Sequence, residues 1–337
     1  MAEVQRRKER LDRGIKVRAE SIYAVSSWEE AAYLLAPRII LVLGLLLAPL
    51  LVQSPYWKRV VTVVCVYGLL GLSFDFLAHF VGLVSLGGAL ATGVGGYASA
   101  LANKALGLPV FLSIPLASLA GGVVCTVLLL PCLPLRGVYF AIVTLMYPLV
   151  LSRLVEAFNI LGGTDGIPGV QGFGGPWAES YIIISALLLC LFGLRRLVNE
   201  DLGLILRGVK DNDQAVKASG ISVTRYKAIA VFIASTLGCL AGAYLAHLYM
   251  WAGLSLFALD FSILPIAATV IGGGGTLVGA VVGSMILVPL SELLREFGTL
   301  RIAFYALVLM GFIVVRSEGL MVWAQRKYHQ FERWVQI

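Results

Sequence analysis

The chain has 337 residues, 59% of them hydrophobic and only 13% charged, with a mean hydropathy of +0.90. Soluble domains carry roughly 45–50% apolar and about 25% charged residues, so there is too little charge here to cover a water-soluble globule. The net charge of +7 does not indicate nucleic acid either, because no recognition motif or interleaved aromatic pattern accompanies the basic residues.

Residues 1–33 open the chain with Arg6, Arg7, Lys8, Arg10, Arg13, Lys16 and Arg18. So long a polar lead does not fit a cleavable signal and reads as an amphipathic segment lying on the membrane surface. Apolar stretches of spanning length follow at 34–53, 60–79, 83–103, 109–131 and 137–157. The third, "LVSLGGALATGVGGYASALAN", repeats Gly and Ala at short intervals, which lets helices approach closely in lipid. A turn-rich loop, "NILGGTDGIPGVQGFGGPWAES" (159–180), separates the fifth span from a sixth at 181–194.

Next comes a charged insert, "DLGLILRGVKDNDQAVKASGISVTRYKAIA" (201–230). On a helical projection of 203–218, Ile205, Val209 and Val216 fall on one edge, with Arg207, Lys210, Asp211, Gln214 and Lys217 opposite. Gly220 supplies a helix stop and Ser222 a cap for the span at 228–251. Residues 261–294 are apolar but interrupted by Pro265, Gly272 to Gly275 and Pro289, which predicts a hairpin of short or broken helices. A last span, 302–315, leads to a basic tail at 316–337.

Arg195, Arg196, Arg207, Lys210, Lys217, Arg225 and Lys227 surround the insert, and Arg316, Arg326, Lys327 and Arg333 close the chain. Because Lys- and Arg-rich loops stay in the cytoplasm, both termini and the insert are expected there. With both ends inside, the count of passes is even, about ten within a range of about eight to ten. The expectation is an all-α polytopic bundle.

Asp75 and His79 lie four residues apart on one face of the second span. An intramembrane ionisable pair is a functional candidate, either a proton-coupling pair or an interhelical hydrogen bond. Arg153 and Glu156 read as a local pair. The five cysteines lack metal-ligand spacing. There is no H-E-x-x-H and no plausible triad, and "GGGGTLVG" is not followed by G-K-[ST], so it is no nucleotide loop.

Four stretches resemble one family in order and spacing, from about residue 60 onward. "GLILRGVKDNDQAVKASGISVTRYK" is similar to the cytoplasmic signature of ABC importer permeases of the branched-chain amino acid type, the LivM-like subunit. Gly203, Arg207, Lys210, Asp211, Asn212, Asp213, Ala215, Gly220, Ile221 and Lys227 take the matching places. "GLVSLGGALATGVGGYASA", "RGVYFAIVTL" and "VIGGGGTLVGAVVGS" resemble three further motifs of that family. Gly88 and Leu204 depart from it, standing where His and Arg are usual, and "MYPLVLSRLVEAFN" carries an unexpected Pro148 and charges.

The resemblance implies a permease subunit, not an enzyme, that pairs with a homologous second permease, two cytoplasmic ATPase subunits and an extracytoplasmic solute-binding protein. It implies a bacterial or archaeal cytoplasmic membrane, no cofactor on this chain, and ATP with Mg²⁺ on the partner ATPases. Residues 203–220 would couple to the ATPase, and the 159–180 loop would face the binding protein. Ser85, Gly87, Tyr97, Tyr139, Phe140, Thr144, Gly272, Gly273 and Gly275 would line the translocation pathway or pack beside it. The implied solute is a branched-chain or other hydrophobic amino acid, with urea, short amides and small organic carboxylates open. The rival reading from another class is an ion-coupled secondary transporter using Asp75 and His79; a membrane scaffold without transport would not explain the broken helices.

Overall fold

The computed structural model describes residues 28–52, 54–135, 137–298, 306–307, 310–312 and 319–324. The expected surface segment at 1–33, the last span at 302–315 and the tail at 316–337 therefore lie largely outside the described residues. Helix α1, Trp28–Leu51, starts before the span expected at 34.

The remaining described elements are helical apart from one two-residue strand pair. α2 (Pro55–Asp75) continues as a π-helical turn over Phe76–Val81. α3 is Gly88–Leu106, α4 is Val110–Leu129 with a 3₁₀ turn to Cys132, and α5 is Val138–Ala157. α6 (Pro176–Asn199) leads to two short helices, α7 (Asp201–Asp211) and α8 (Asp213–Ala218), and then to α9 (Val223–Leu248). A 3₁₀ turn at Leu254–Phe257 precedes α10 (Asp260–Gly272) and α11 (Val278–Leu293). β1 (Ile167–Pro168) pairs antiparallel with β2 (Trp251–Ala252).

Among the described residues, five helices are long and apolar enough to cross a bilayer: Pro55–Val81, Val110–Cys132, Val138–Ala157, Pro176–Asn199 and Val223–Leu248. Three shorter apolar helices, Ile39–Leu51, Asp260–Gly272 and Val278–Leu293, accompany them. α6 begins earlier than expected because Pro176, with its fixed φ and missing N–H, sits in the first helical turn and ends the loop at Gly175.

α2 and α9 are central and mostly buried, whereas α5 lies at the periphery and is mostly exposed. α9 packs along α3 and α4, and α2 along α6, α9, α10 and α11. Small residues permit this. A Cβ added at Gly242 of α9 would strike the Thr92 carbonyl of α3, and one at Gly95 would strike the Cys239 carbonyl. Such backbone approach is how helices gain packing energy where lipid is as apolar as their own side chains.

The expected hairpin at 261–294 is present, broken only at Gly273–Leu277. Pro265 and Pro289 remain inside α10 and α11. A proline removes one helical hydrogen bond but need not end a helix that its neighbours hold in place.

Candidate functional site

The insert is helical, but as two pieces rather than one. Asn212 adopts an extended backbone (φ −156°, ψ 97°) and its Oδ1 accepts the N–H groups of Gln214 at 3.0 Å and Ala215 at 3.2 Å. Asn competes with the helix for backbone donors and prefers a cap to an interior position, so α8 starts afresh there. It ends as expected at Gly220, whose φ of +83° suits the left-handed stop. Ser222 precedes α9 but makes no side-chain cap bond.

The buried face also differs from the expected one. Gly203, Leu206 and Val209 turn inward, while Ile205 and Val216 are only half-buried. Gly203 is obligatory by space, since a Cβ would meet the Val198 carbonyl. The Arg207 guanidinium lies 5.5 Å from the centre of the Phe80 ring, and Lys210 Nζ donates to the His79 carbonyl at 2.8 Å. Asp211, Gln214, Ala215 and Lys217 point to the exterior. Asp213 stands apart from these, because its Oδ2 lies 4.0 Å from Nζ of the buried Lys227.

Asp75 immediately precedes the π-helical turn that meets this insert. It is fully buried, and its two oxygens accept the N–H groups of Gly275 at 2.6 Å and Leu277 at 2.8 Å. His79 Nδ1 is 2.7 Å from Asp75 Oδ1, an ion-pair distance without an aligned hydrogen bond. The π-helical turn carrying His79 thus touches the insert through Lys210 and the Gly273–Leu277 break through Gly274, where any Cβ would collide with the imidazole. A Cβ at Gly319 would strike the Gly273 backbone, and Gly273 itself has a φ of +106° that disfavours any other residue. Leu277, a non-glycine residue at φ +60°, is held in its strained conformation by the bond to Asp75. Asp75, His79, Gly275 and Leu277 therefore form one junction, tied to the insert by Lys210, while Gly272 and Gly273 lie beside it at the end of α10.

A third grouping lies deeper. The chain leaves the π turn at Gly82 and runs non-helically through residues 82–87 before α3 begins. Leu86 N–H donates to Thr144 Oγ1 at 2.9 Å, Gly87 N–H to Ser85 Oγ at 3.3 Å, and Ala89 N–H to Ser262 Oγ at 2.9 Å. Ser85, Gly87 and Thr144 are thereby brought together around the start of α3. Phe140 is fully buried nearby on α5, whereas Tyr139 is 73% exposed and faces away from the bundle. Tyr97 belongs elsewhere: it stacks on Phe257 at 5.9 Å between centroids, and its buried hydroxyl has no partner among the described residues.

The far end of the bundle has a different chemistry. His247 is fully buried; Nδ1–H donates to the Gln171 carbonyl at 2.6 Å, and Nε2 is 2.9 Å from Ser99 Oγ. That network ties the glycine-rich loop to α3 and α9. Lys58 Nζ sits 3.8 Å above the Trp177 ring there, and Arg153 pairs with Glu156 at 2.8 Å on the exposed face of α5.

Pattern reading missed Ser235, Ser262 and Leu277. The signal for the first two was faint: single hydroxyls inside otherwise apolar helices.

The model of the family described as "Branched-chain amino acid transport system / permease component" matches residues 56–316. The chain is similar to the high-affinity branched-chain amino acid transport system permease protein LivM of Salmonella typhimurium, with 28% identity over 318 residues, covering 83% of this chain and 73% of that protein. The LivM of Escherichia coli K12 matches to the same extent. A probable branched-chain amino acid transport permease protein LivM of Methanocaldococcus jannaschii is 28% identical over 227 residues, covering 62% of this chain and 65% of that one. No solved structure matches the chain significantly.

Proposed function

The chain belongs to the family of permease components of branched-chain amino acid transport systems, and from that premise we propose that it forms half of a translocation pathway whose α7–α8 pair receives force from a separate ATPase. It is a multi-pass membrane protein and the permease subunit of an ABC importer. The finer assignments are our reading. The chain pairs with a second permease and two cytoplasmic ATPase subunits that carry ATP and Mg²⁺. A solute-binding protein docks on the opposite face, over the 159–175 loop. The solute is a branched-chain or another hydrophobic amino acid, a choice supported by the names of the relatives. Both termini and the insert lie in the cytoplasm, as the basic clusters favour.

One observation carries the coupling role. α7 is anchored on its inner face by Leu206, Val209 and the Lys210–His79 bond, yet Asp211 at its end and Gln214, Ala215 and Lys217 of α8 face outward. A helix pair rigidly tied to the π-helical turn and the Gly273–Leu277 break, with a free polar face, transmits a push from outside into the bundle. Asp75 commits both oxygens to backbone amides, which favours a structural role over proton coupling.

The test is charge reversal on the free face alone. Asp211→Lys with Gln214→Lys should leave the chain inserted at normal abundance but lose the co-purifying ATPase, since mismatched charges at an interface cost several kcal/mol. Asp213 is left untouched because its change would break the pair with Lys227. Normal uptake with the ATPase still bound would refute the coupling assignment.

A further inference from the structure

Two helices begin inside the membrane-spanning thickness, and their first turns meet. α3 starts at Gly88 after the non-helical 82–87 segment, and α10 starts at Asp260 after a 3₁₀ turn. Asp260 stands twelve residues from the Gly272 end of α10, and Ser235 twelve residues from the Val223 start of α9, roughly 18 Å of helical rise. Between the two starts lies a cavity of about 30 Å³, room for a carboxylate group but not for a whole amino acid.

Its walls are unevenly satisfied. The Ser73 hydroxyl donates to the Ala234 carbonyl at 2.8 Å, and Ser85 and Ser262 accept the Gly87 and Ala89 amides. Gly88 and Leu90 also line the cavity, and their amides, in the first turn of α3, find no acceptor among the described residues. Ser235, 7% exposed and lining the same cavity, makes no hydrogen bond among the described residues. Unmet donors of this kind, at a helix N-terminus carrying a partial positive charge, seat an anion. On the other side the Phe261 carbonyl closes on Gly88, where any Cβ would collide with it. Pro265, four residues on, has no N–H to give that carbonyl.

We propose that this cavity is the seat for the head group of the transported amino acid: the α-carboxylate on the Gly88 and Leu90 amides and the Ser235 hydroxyl, the α-ammonium on the Phe261 carbonyl. The inference rests on the amino-acid reading above only for the ligand's identity; the carboxylate seat stands on the geometry. The solute is held by its backbone groups, so side-chain choice falls to the rest of the pathway and to the binding protein. The cavity holds only the carboxylate in this conformation, so the ammonium reaches the Phe261 carbonyl and the remainder of the solute enters when α3 and α10 part.

Cys125 lines the same cavity and is a free thiol, which makes it a native reporter. In the assembled transporter, its reaction with methyl methanethiosulfonate is followed by peptide mass spectrometry in the presence of acetate or neutral acetamide. Acetate should slow the reaction and acetamide should not. Ser235→Ala should weaken the acetate effect about tenfold, as expected for losing a hydrogen bond to a charged group. Equal effects of acetate and acetamide, or an acetate effect unchanged in Ser235→Ala, overturn the seat. Protection by acetate but not by L-leucine keeps the seat and overturns the amino-acid ligand instead. If Cys125 does not react at all, L-leucine uptake decides: Ser235→Asp, which places a fixed carboxylate in the seat, should fall at least about tenfold below the similarly sized Ser235→Asn. Equal uptake by those two variants contradicts the proposal.

Discussion

Asp75 joins two parts of the chain 200 residues apart, and the effect of changing it follows from what it holds. Both oxygens accept backbone amides of the Gly273–Leu277 break. Asn at this position keeps one acceptor and sets an NH₂ group against the other amide. Hydrogen bonds to charged groups contribute about 1.5–3 kcal/mol, and an unmet buried donor costs a similar amount. We expect Asp75→Asn to lower the thermal midpoint of the purified complex while leaving reduced but measurable uptake. That uptake should be indifferent to an uncoupler when ATP is held constant. A variant of unchanged stability with no uptake would instead indicate a proton relay. The helical spacing of Asp75 and His79 was legible in the sequence, and so were the glycines of the break. Their contact was not, because no local pattern encodes a bond across 200 residues.

At the scale of elements, the insert shows what periodicity captures and what it misses. A helical projection with polar and apolar residues on opposite faces revealed a helix with a stop at Gly220, and both are present. The interruption at Asn212 went unseen because a helical projection assigns every residue a helical angle and ignores capping preference. Within α7 itself the buried face is Gly203, Leu206 and Val209 rather than the expected edge of Ile205 and Val209, and Val216 falls on the separate α8. Asn212→Ala removes the side-chain oxygen that caps α8, at a cost of about 0.5–2 kcal/mol. Amide exchange should accelerate in residues 213–218 but not in α9, and ATP turnover should become less responsive to loaded binding protein. Asn212→Asp, which restores an acceptor, should recover both. Unchanged exchange in Asn212→Ala would mean that α8 does not depend on this cap. The hairpin at 261–294 shows the complementary error: prolines were weighted as breaks, whereas only the glycine run, with its close backbone contacts, interrupts the helices.

Across the whole molecule, two chemically distinct ends emerge. One gathers α7, α8, the π-helical turn and the Gly273–Leu277 break; the other gathers the glycine-rich loop, the β1–β2 pair and the buried His247 network. In the orientation we propose, the first faces the cytoplasm, the side on which Lys- and Arg-rich loops are retained. Single cysteines placed at Lys217 and at Asp165 in a chain otherwise free of reactive thiols should report this. A membrane-impermeant maleimide added to intact cells should modify position 165 and spare 217. The reverse pattern would invert the orientation and remove the coupling role with it. The central claim, that the α7–α8 pair is where an ATPase subunit bears on this chain, is tested most directly by contact. A photo-crosslinking amino acid at Gln214, on the outward face of α8, should capture the ATPase subunit in native membranes, with a yield that changes on adding ATP. The same probe at the outward-facing Tyr139 of α5 should not. Failure to capture the ATPase from 214 in membranes that contain the assembled, active transporter would contradict the account.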